Sequence, residues 1–151
     1  MNDTGVEAWA ALLRVHAALV PVLDRELQAA CGLPLTWYDV LLELNAAPGR
    51  QLRMQDLAAR VVLSRTRVSR LVSELERVGY IERVPDPDDG RATLARITTE
   101  GRAARRQAAP VYLAGIEEHF TRHLTHSQQQ AITTGLQRVI DAHDAQADPR
   151  R

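Results

Sequence analysis

Apolar residues recur every three to four positions along most of this chain, which predicts a mainly α-helical protein. The first predicted helix covers residues 6–30, and Pro21 in its middle should kink or interrupt it. A second helix should begin at Thr36 as N-cap, with Asp39 reaching back as in a capping box, and end near Pro48. The apolar surface of the first helix comprises Trp9, Leu12, Leu13, His16, Leu19, Val20, Leu23 and Leu27.

Two further helices are predicted in the last third of the chain. Thr98 is placed to cap a long helix over residues 99–124, with a bend at Pro110. A final helix should follow, opened by one of two capping pairs, Thr125 with Gln128 or Ser127 with Gln130. The apolar positions of this final helix are Ile132, Leu136, Val139 and Ile140.

Two shorter helices joined by a tight connection are predicted in the centre of the chain. The first covers residues 54–61, with Leu57, Ala58 and Val61 on its inner face. Ser64 stands where the N-cap of the second helix is expected, because its hydroxyl can accept a backbone N–H that the helix leaves unpaired. The second helix has one buried stripe at the spacing i, i+3, i+4 and i+7, made of Val68, Leu71, Val72 and Leu75.

The side of this second helix that lies away from its apolar stripe is rich in arginine and hydroxyl groups. Arginine can fork onto a guanine edge or grip phosphate, and Ser and Thr can donate to phosphate oxygens. We therefore expect this face to contact a DNA groove, although a helix of this kind standing alone would more simply be solvated. The expected DNA contacts on and before this helix are Ser64, Arg65, Thr66, Arg67, Ser69, Arg70, Ser73 and Arg77.

A hairpin is predicted immediately after this helix. Residues 81–84 and 94–97 each combine apolar and charged positions, as half-buried strands do, and the prolines and Asp-Gly step between them demand a reversal. Arg91 lies near the tip, where an arginine fits a narrow minor groove. Asp89 is placed to hold that arginine or a neighbouring one by a charge-assisted hydrogen bond. Both residues are added to the expected DNA contacts.

Two helices with a tight connection followed by a two-stranded wing make a winged helix-turn-helix, so the predicted fold class is mainly α (α+β). The central third resembles the MarR family, the multiple-antibiotic-resistance-type regulators. Asp89 and Arg91 match the wing motif of that family, although Gly90 stands between them where a larger residue is more usual. The other matching residues include Leu63-Ser64, Val68-Ser69-Arg70-Leu71-Val72, Gly79-Tyr80-Ile81, Asp86-Pro87-Asp88 and Ile97-Thr98-Thr99-Glu100-Gly101.

Composition is consistent with a single-domain regulator of 151 residues. The net charge is zero, but residues 50–106 hold 13 arginines against 8 acids, and the rest of the chain holds 6 arginines against 11 acids. This concentration of positive charge on the predicted winged module is typical of a nucleic-acid-binding face. The N-terminus is acidic and no stretch looks long enough to cross a bilayer, so we expect no signal peptide and a cytoplasmic protein.

The terminal helices carry more apolar surface than a module of some fifty residues can cover. We therefore expect residues 6–34 and 98–146 to be dimerisation helices flanking a DNA-binding lobe at 36–97. A two-fold homodimer would present two recognition helices to half-sites roughly one helical turn apart, which implies a palindromic operator. The family resemblance implies the same arrangement, and the alternative is an extended monomeric bundle.

The resemblance also implies a repressor whose DNA affinity falls when a small molecule binds between the dimer helices and the DNA-binding lobe. We expect this ligand to be an aromatic or phenolic compound, because the candidate contacts are mostly aromatic rings that carry a polar atom. No cofactor is expected. The candidate ligand contacts are Trp9, His16, Trp37, Tyr38 and Tyr112, any of which can equally be a core residue.

Other functions find less support in the residues. His119 and His123 lie four positions apart, with His126 nearby, a spacing that can hold zinc in a metal-responsive regulator but more often marks a solvated surface. Cys31, the single cysteine, excludes an internal disulfide and is interpreted as inert. The sequence contains no phosphate-binding glycine loop and no nucleophile elbow, which are motifs that would indicate an enzyme. A winged helix used only for protein contact is disfavoured, because the cores of protein interfaces are depleted in charge.

Overall fold

The computed structural model describes residues 3–61 and 63–147. The described chain is mainly helical with a small antiparallel sheet, which confirms the predicted winged-helix fold class. It forms two compact units, with the boundary between Leu113 and Ala114. The helices are α1 (Asp3–Cys31), α2 (Leu35–Ala46), α3 (Met54–Arg60), α4 (Arg65–Arg77), α5 (Thr99–His119) and α6 (His126–Ala147), with short 3₁₀ turns at Pro48–Arg50 and Thr121–His123.

The sheet has the strand order β1-β3-β2, with β1 at Gln51–Arg53, β2 at Ile81–Pro85 and β3 at Thr93–Ile97. Strands β2 and β3 are the predicted hairpin, and Val84 pairs with Leu94 in their register. Strand β1 was not predicted, because three residues are too few to show an alternating pattern. It pairs antiparallel with β3, so the start of the helix-turn-helix is held directly on the wing.

The core of the first unit lies where α2, α3 and α4 meet the sheet. On α4, Val68, Val72 and Leu75 are fully buried and Leu71 is half-buried, so the stripe predicted for this helix is confirmed. Each such side chain stabilises the fold by about 1.5–3 kcal/mol relative to exposure. Because this stripe is fixed in the core, the polar face of α4 is turned away from it.

Helix α1 continues without interruption through Pro21, so of the two predicted effects of this proline, a kink or an interruption, the interruption is wrong. A proline leaves the carbonyl four residues earlier without its helical partner. That carbonyl belongs to Ala17, and since Ala17 and Pro21 are both exposed, water can satisfy it.

The predicted capping box at the start of α2 is also wrong. The helix begins at Leu35, one residue before Thr36, and no side chain of its own caps it. Instead Asp24 on α1 accepts the Leu35 backbone N–H at 2.9 Å. Local sequence contains no signal for a cap from eleven residues away.

The remaining predicted caps are confirmed. Ser64 Oγ accepts the Arg67 N–H at 3.2 Å, and Thr98 Oγ1 accepts the Gly101 N–H at 3.1 Å. Of the two pairs considered for α6, Thr125 and Gln128 form the capping box. Helix α5 ends at His119, five residues before the expected end at 124.

Helix α1 is 29 residues long and has a mean hydropathy of 1.5 in an 18-residue window, which by length and composition is enough to cross a membrane. This corrects the expectation that no stretch is long enough. Only 6% of that window is buried. One such helix is weak evidence for a membrane span, because signal sequences and core helices of soluble proteins meet the same criterion.

Candidate nucleic-acid interface

The outward face of α4 carries the side chains that the sequence analysis assigned to DNA. An open surface concavity along this face is lined by Arg65, Thr66, Ser69, Arg70 and Ser73. All ten predicted DNA contacts, including Asp89 and Arg91 of the wing, are exposed. The helix therefore presents guanidinium and hydroxyl groups together on one accessible surface.

The two acidic residues of α4 are engaged by neighbouring parts of the fold. Glu74 accepts a hydrogen bond from the Trp37 indole at 3.3 Å, and Glu76 lies 3.7 Å from the guanidinium of Arg83. Within the described chain, by contrast, no hydrogen bond or ion pair engages the guanidinium groups of Arg67 or Arg70. The free charge on the outward face of α4 is consequently positive.

Arg83 on β2 connects the wing to α4. Its guanidinium donates to Ser73 Oγ at 2.8 Å, and the same hydroxyl donates to the Ser69 carbonyl at 2.9 Å. Ser73 therefore uses its one donor inside the fold, and in this arrangement it offers DNA an acceptor only. Arg83 was not among the predicted DNA contacts. With the two-residue period of a strand it shares a face with Ile81, so the local pattern gave no signal that it contacts α4.

A second depression lies between the wing and the starts of α3 and α4. Arg65 reaches across it and donates to Gln55 Oε1 at 3.2 Å. The depression has a volume of about 290 Å³ and is lined by Arg53, Met54, Gln55, Arg65, Asp89, Ala92 and Thr93. Like the outward face of α4, this depression carries exposed arginine.

Two aspartates hold the wing, Asp86 and Asp89, and the predicted bond from Asp89 reaches the backbone of Arg91 rather than its guanidinium. Asp89 Oδ1 accepts the backbone N–H of Arg91 at 3.1 Å, which closes the turn and leaves the Arg91 guanidinium exposed. Asp86 is buried and accepts Arg53 Nε at 2.7 Å and the Asp88 N–H at 2.9 Å. The Asp88 N–H and the Arg53 guanidinium hold the pKa of Asp86 below its usual range, against the effect of burial.

The five candidate ligand contacts are not brought together. Trp9 is 61% exposed and His16 is exposed, both on α1. Tyr38 is buried and packs on Tyr112, with ring centroids 4.9 Å apart. Trp37 meets Tyr80 edge to face and lines a cavity of about 270 Å³, together with Cys31, Gly32, Leu33, Val78, Tyr80, Ala104 and Gln107.

The predicted histidine pair does not lie on one helix face. Helix α5 ends at His119, and His123 lies in the following 3₁₀ turn. The spacing of four therefore does not place the two side chains on one face of an α-helix. Among the described residues, no group of three or more His, Cys, Asp or Glu side chains is arranged to hold a metal ion. Cys31 is a half-buried free thiol at the end of α1, in the wall of the Trp37 cavity.

A helix-turn-helix whose outward face carries Arg67 and Arg70 without partners in the described chain, joined to a wing that exposes Arg91, defines a winged-helix DNA-binding protein. Residues 32–92 match the family model described as the MarR family. Sco3205, a MarR family transcriptional regulator from Streptomyces coelicolor solved in complex with DNA, is 30% identical; the match covers 94% of this chain and 89% of that one, with a TM-score of 0.84.

Two further relatives agree with this match. AbsC, a MarR family transcriptional regulator from Streptomyces coelicolor, is 27% identical over 96% of this chain and 97% of its own, with a TM-score of 0.84. An HTH-type transcriptional regulator from Bacillus cereus is 27% identical over 94% of this chain and 92% of its own. The chain belongs to the MarR family and is a DNA-binding transcriptional regulator, not an enzyme.

Proposed function

We propose that this regulator is a cytoplasmic homodimeric repressor that binds a palindromic operator and is released from it by a small aromatic or phenolic ligand. The observation that carries the proposal is the outward face of α4, where exposed arginine and hydroxyl groups line one concavity and both acidic residues are engaged elsewhere. A helix of this shape and charge fits the major groove.

Within this proposal, α4 and the wing have different tasks. Arg70 stands in the middle of the α4 concavity and makes the base contact, since a guanidinium without an internal partner is free to fork onto guanine. Arg91 extends from the wing and contacts phosphate or the minor groove. Its contribution is therefore to affinity more than to sequence preference.

The proposed dimer is supported by apolar stripes that this chain leaves exposed. On α1, Val6, Trp9 and Leu13 are each more than half exposed, at the spacing i, i+3 and i+7. On α6, a second exposed stripe comprises Ile132, Leu136, Val139 and Ile140. A second copy of the chain is the occupant that covers both, and a partner helix rather than a membrane then accounts for the apolar surface of α1.

The proposed ligand site is the Trp37 cavity. Its volume of about 270 Å³ suits a compound built on one aromatic ring, and Trp37 and Tyr80 supply aromatic walls. The cavity adjoins α4 at two points: Val78 is the C-cap of that helix, and Trp37 donates to Glu74. A ligand that shifts Trp37 therefore acts directly on the helix proposed to read DNA.

Two measurements on the purified protein test the proposal. Fragments selected from random duplex DNA should contain an inverted repeat with half-sites about one helical turn apart. Light scattering at micromolar concentration should report twice the chain mass of 16.8 kDa. Selection of no common sequence would contradict the proposed repressor. A 16.8 kDa species across the micromolar range would contradict the proposed dimer.

A further inference from the structure

A separate cavity between α1 and α2 combines apolar walls with an unpaired carboxylate. It has a volume of about 500 Å³. No arginine or histidine is among its lining residues, which are Val20, Pro21, Asp24, Gln28, Pro34, Leu35, Thr36 and Asp39. Neither the DNA interface nor the proposed Trp37 site uses any of these residues.

The two carboxylates in the cavity differ in their bonding. Both oxygens of Asp24 have partners: Oδ1 accepts the Leu35 N–H at 2.9 Å and Oδ2 accepts Gln28 Nε2 at 2.7 Å. Asp39 is half-buried, and no hydrogen bond or ion pair within the described chain engages its carboxylate. Half-burial removes part of the hydration of this anion, so a cation brought by a ligand replaces an interaction that water supplies only in part there.

We infer that this α1–α2 cavity binds an organic cation, a primary amine carried on a small apolar body. The ammonium group pairs with Asp39, and the half-burial of that carboxylate reduces the screening of the pair by solvent. The apolar body lies against Val20, Pro21 and Leu35. Charge complementarity excludes aromatic acids from this cavity, because their carboxylate would face Asp39 and Asp24 with no cation between them.

The surroundings of Asp39 give this site a defined pH dependence. Burial, and then the negative charge of Glu43 on the next turn of α2, raise the pKa of Asp39 to about 6. Asp24 on α1 also faces the cavity, Arg60 pairs with Glu43 at 3.9 Å, and Tyr112 on α5 has its own pKa raised by burial and by Asp39. Amine binding needs the ionised carboxylate, so affinity should rise with pH and level off above about 6.

The test uses phenethylamine and the DNA-free protein, so its outcome is independent of the proposed repressor function. Two-dimensional ¹H–¹⁵N spectra should show phenethylamine shifting amides of the cavity lining on α1 and α2. The neutral analogue 2-phenylethanol and the anion phenylacetate should bind at least tenfold more weakly. Affinity for phenethylamine at pH 5 should be about tenfold below its value at pH 8.

Two variants distinguish the site from non-specific attraction. Asp39→Asn keeps the shape of the side chain and should lower phenethylamine affinity at least tenfold. Glu43→Gln removes a neighbouring charge outside the cavity lining and should retain binding. Thermal unfolding of both variants confirms that they are folded. Equal binding of the three ligands, undiminished binding in Asp39→Asn, or no phenethylamine shifts at millimolar concentration would each overturn the inference.

Discussion

The indole Nε1 of Trp37 donates a hydrogen bond to Oε2 of Glu74 over 3.3 Å and joins α2 to α4, the helix proposed to read DNA. The bond has two consequences. It withdraws one of the two acidic side chains of α4 from the DNA-facing surface, and it connects the wall of the Trp37 cavity to that helix. A single contact thus supports both the electrostatics of the interface and its proposed regulation.

Trp37→Phe tests this connection, because it keeps an aromatic ring and removes the donor. We expect the free energy of unfolding to fall by about 1–2 kcal/mol, since Glu74 loses a charge-assisted bond and the larger indole is lost from the packing. Ligand-induced release from DNA should be weakened. Urea denaturation and DNA-binding titrations measure the two effects. Arg25→Ala, an exposed position on α1 outside the cavity lining, is the control and should respond to ligand normally.

Arg91→Ala tests the role of the wing. Binding to the operator and to unrelated DNA should weaken by similar factors, and the slope of log K against log salt should become shallower by about 1. Fluorescence anisotropy at several salt concentrations gives both quantities. A change in the preferred base of the operator would instead show that Arg91 reads sequence.

Asp86→Asn tests the support of the wing. In the wild type, the pKa of Asp86 is lowered in the folded state from 3.8 by the Asp88 N–H and by Arg53. Its stabilising contribution is therefore present above pH 3.8 and is lost as the pH falls through the lowered value. Hydrogen exchange of the β2 and β3 amides should be faster in the variant at pH 7. Exchange rates equal to those of the wild type would mean that Asp86 does not hold the wing.

Asp39→Asn should stabilise the protein at neutral pH. The folded-state pKa of about 6 exceeds the ordinary 3.8, so the folded chain binds the proton more tightly and loses stability as the pH rises from about 4 to 6. Allowing for partial exposure, the variant should gain about 1–2 kcal/mol at pH 7 and lose that pH dependence. Denaturation series at pH 4 and pH 7 measure it, and an unchanged pH dependence would refute the explanation.

Local sequence was sufficient wherever one helix and its own cap decide the structure. The α4 stripe and the caps at Ser64, Thr98 and Thr125 were all predicted, because each depends on residues within one or two turns. Contacts between distant segments were missed for the opposite reason. The cap that Asp24 provides for α2 spans eleven residues in the chain.

The same distinction applies to the candidate interface. The exposure of the seven predicted DNA contacts on α4 follows from helical geometry once the apolar stripe of that helix is known. The Arg53–Asp86 pair spans 33 positions, and it depends on strand β1, which alternation alone did not reveal. The candidate ligand contacts were predicted from residue type. In the fold, Trp37 contacts Tyr80, whereas the adjacent Tyr38 packs on Tyr112.

The affinity of Arg70→Ala for the selected operator tests the central claim most directly, because the claim places this guanidinium in the major groove. Compared with the wild type and with the exposed α1 variant Arg25→Ala, Arg70→Ala should lose about 1–3 kcal/mol of operator binding. Its affinity for unrelated DNA should change much less, and its unfolding should be unaltered. Operator affinity equal to that of Arg25→Ala in a folded Arg70→Ala protein would contradict the assignment of α4 as the helix that reads DNA.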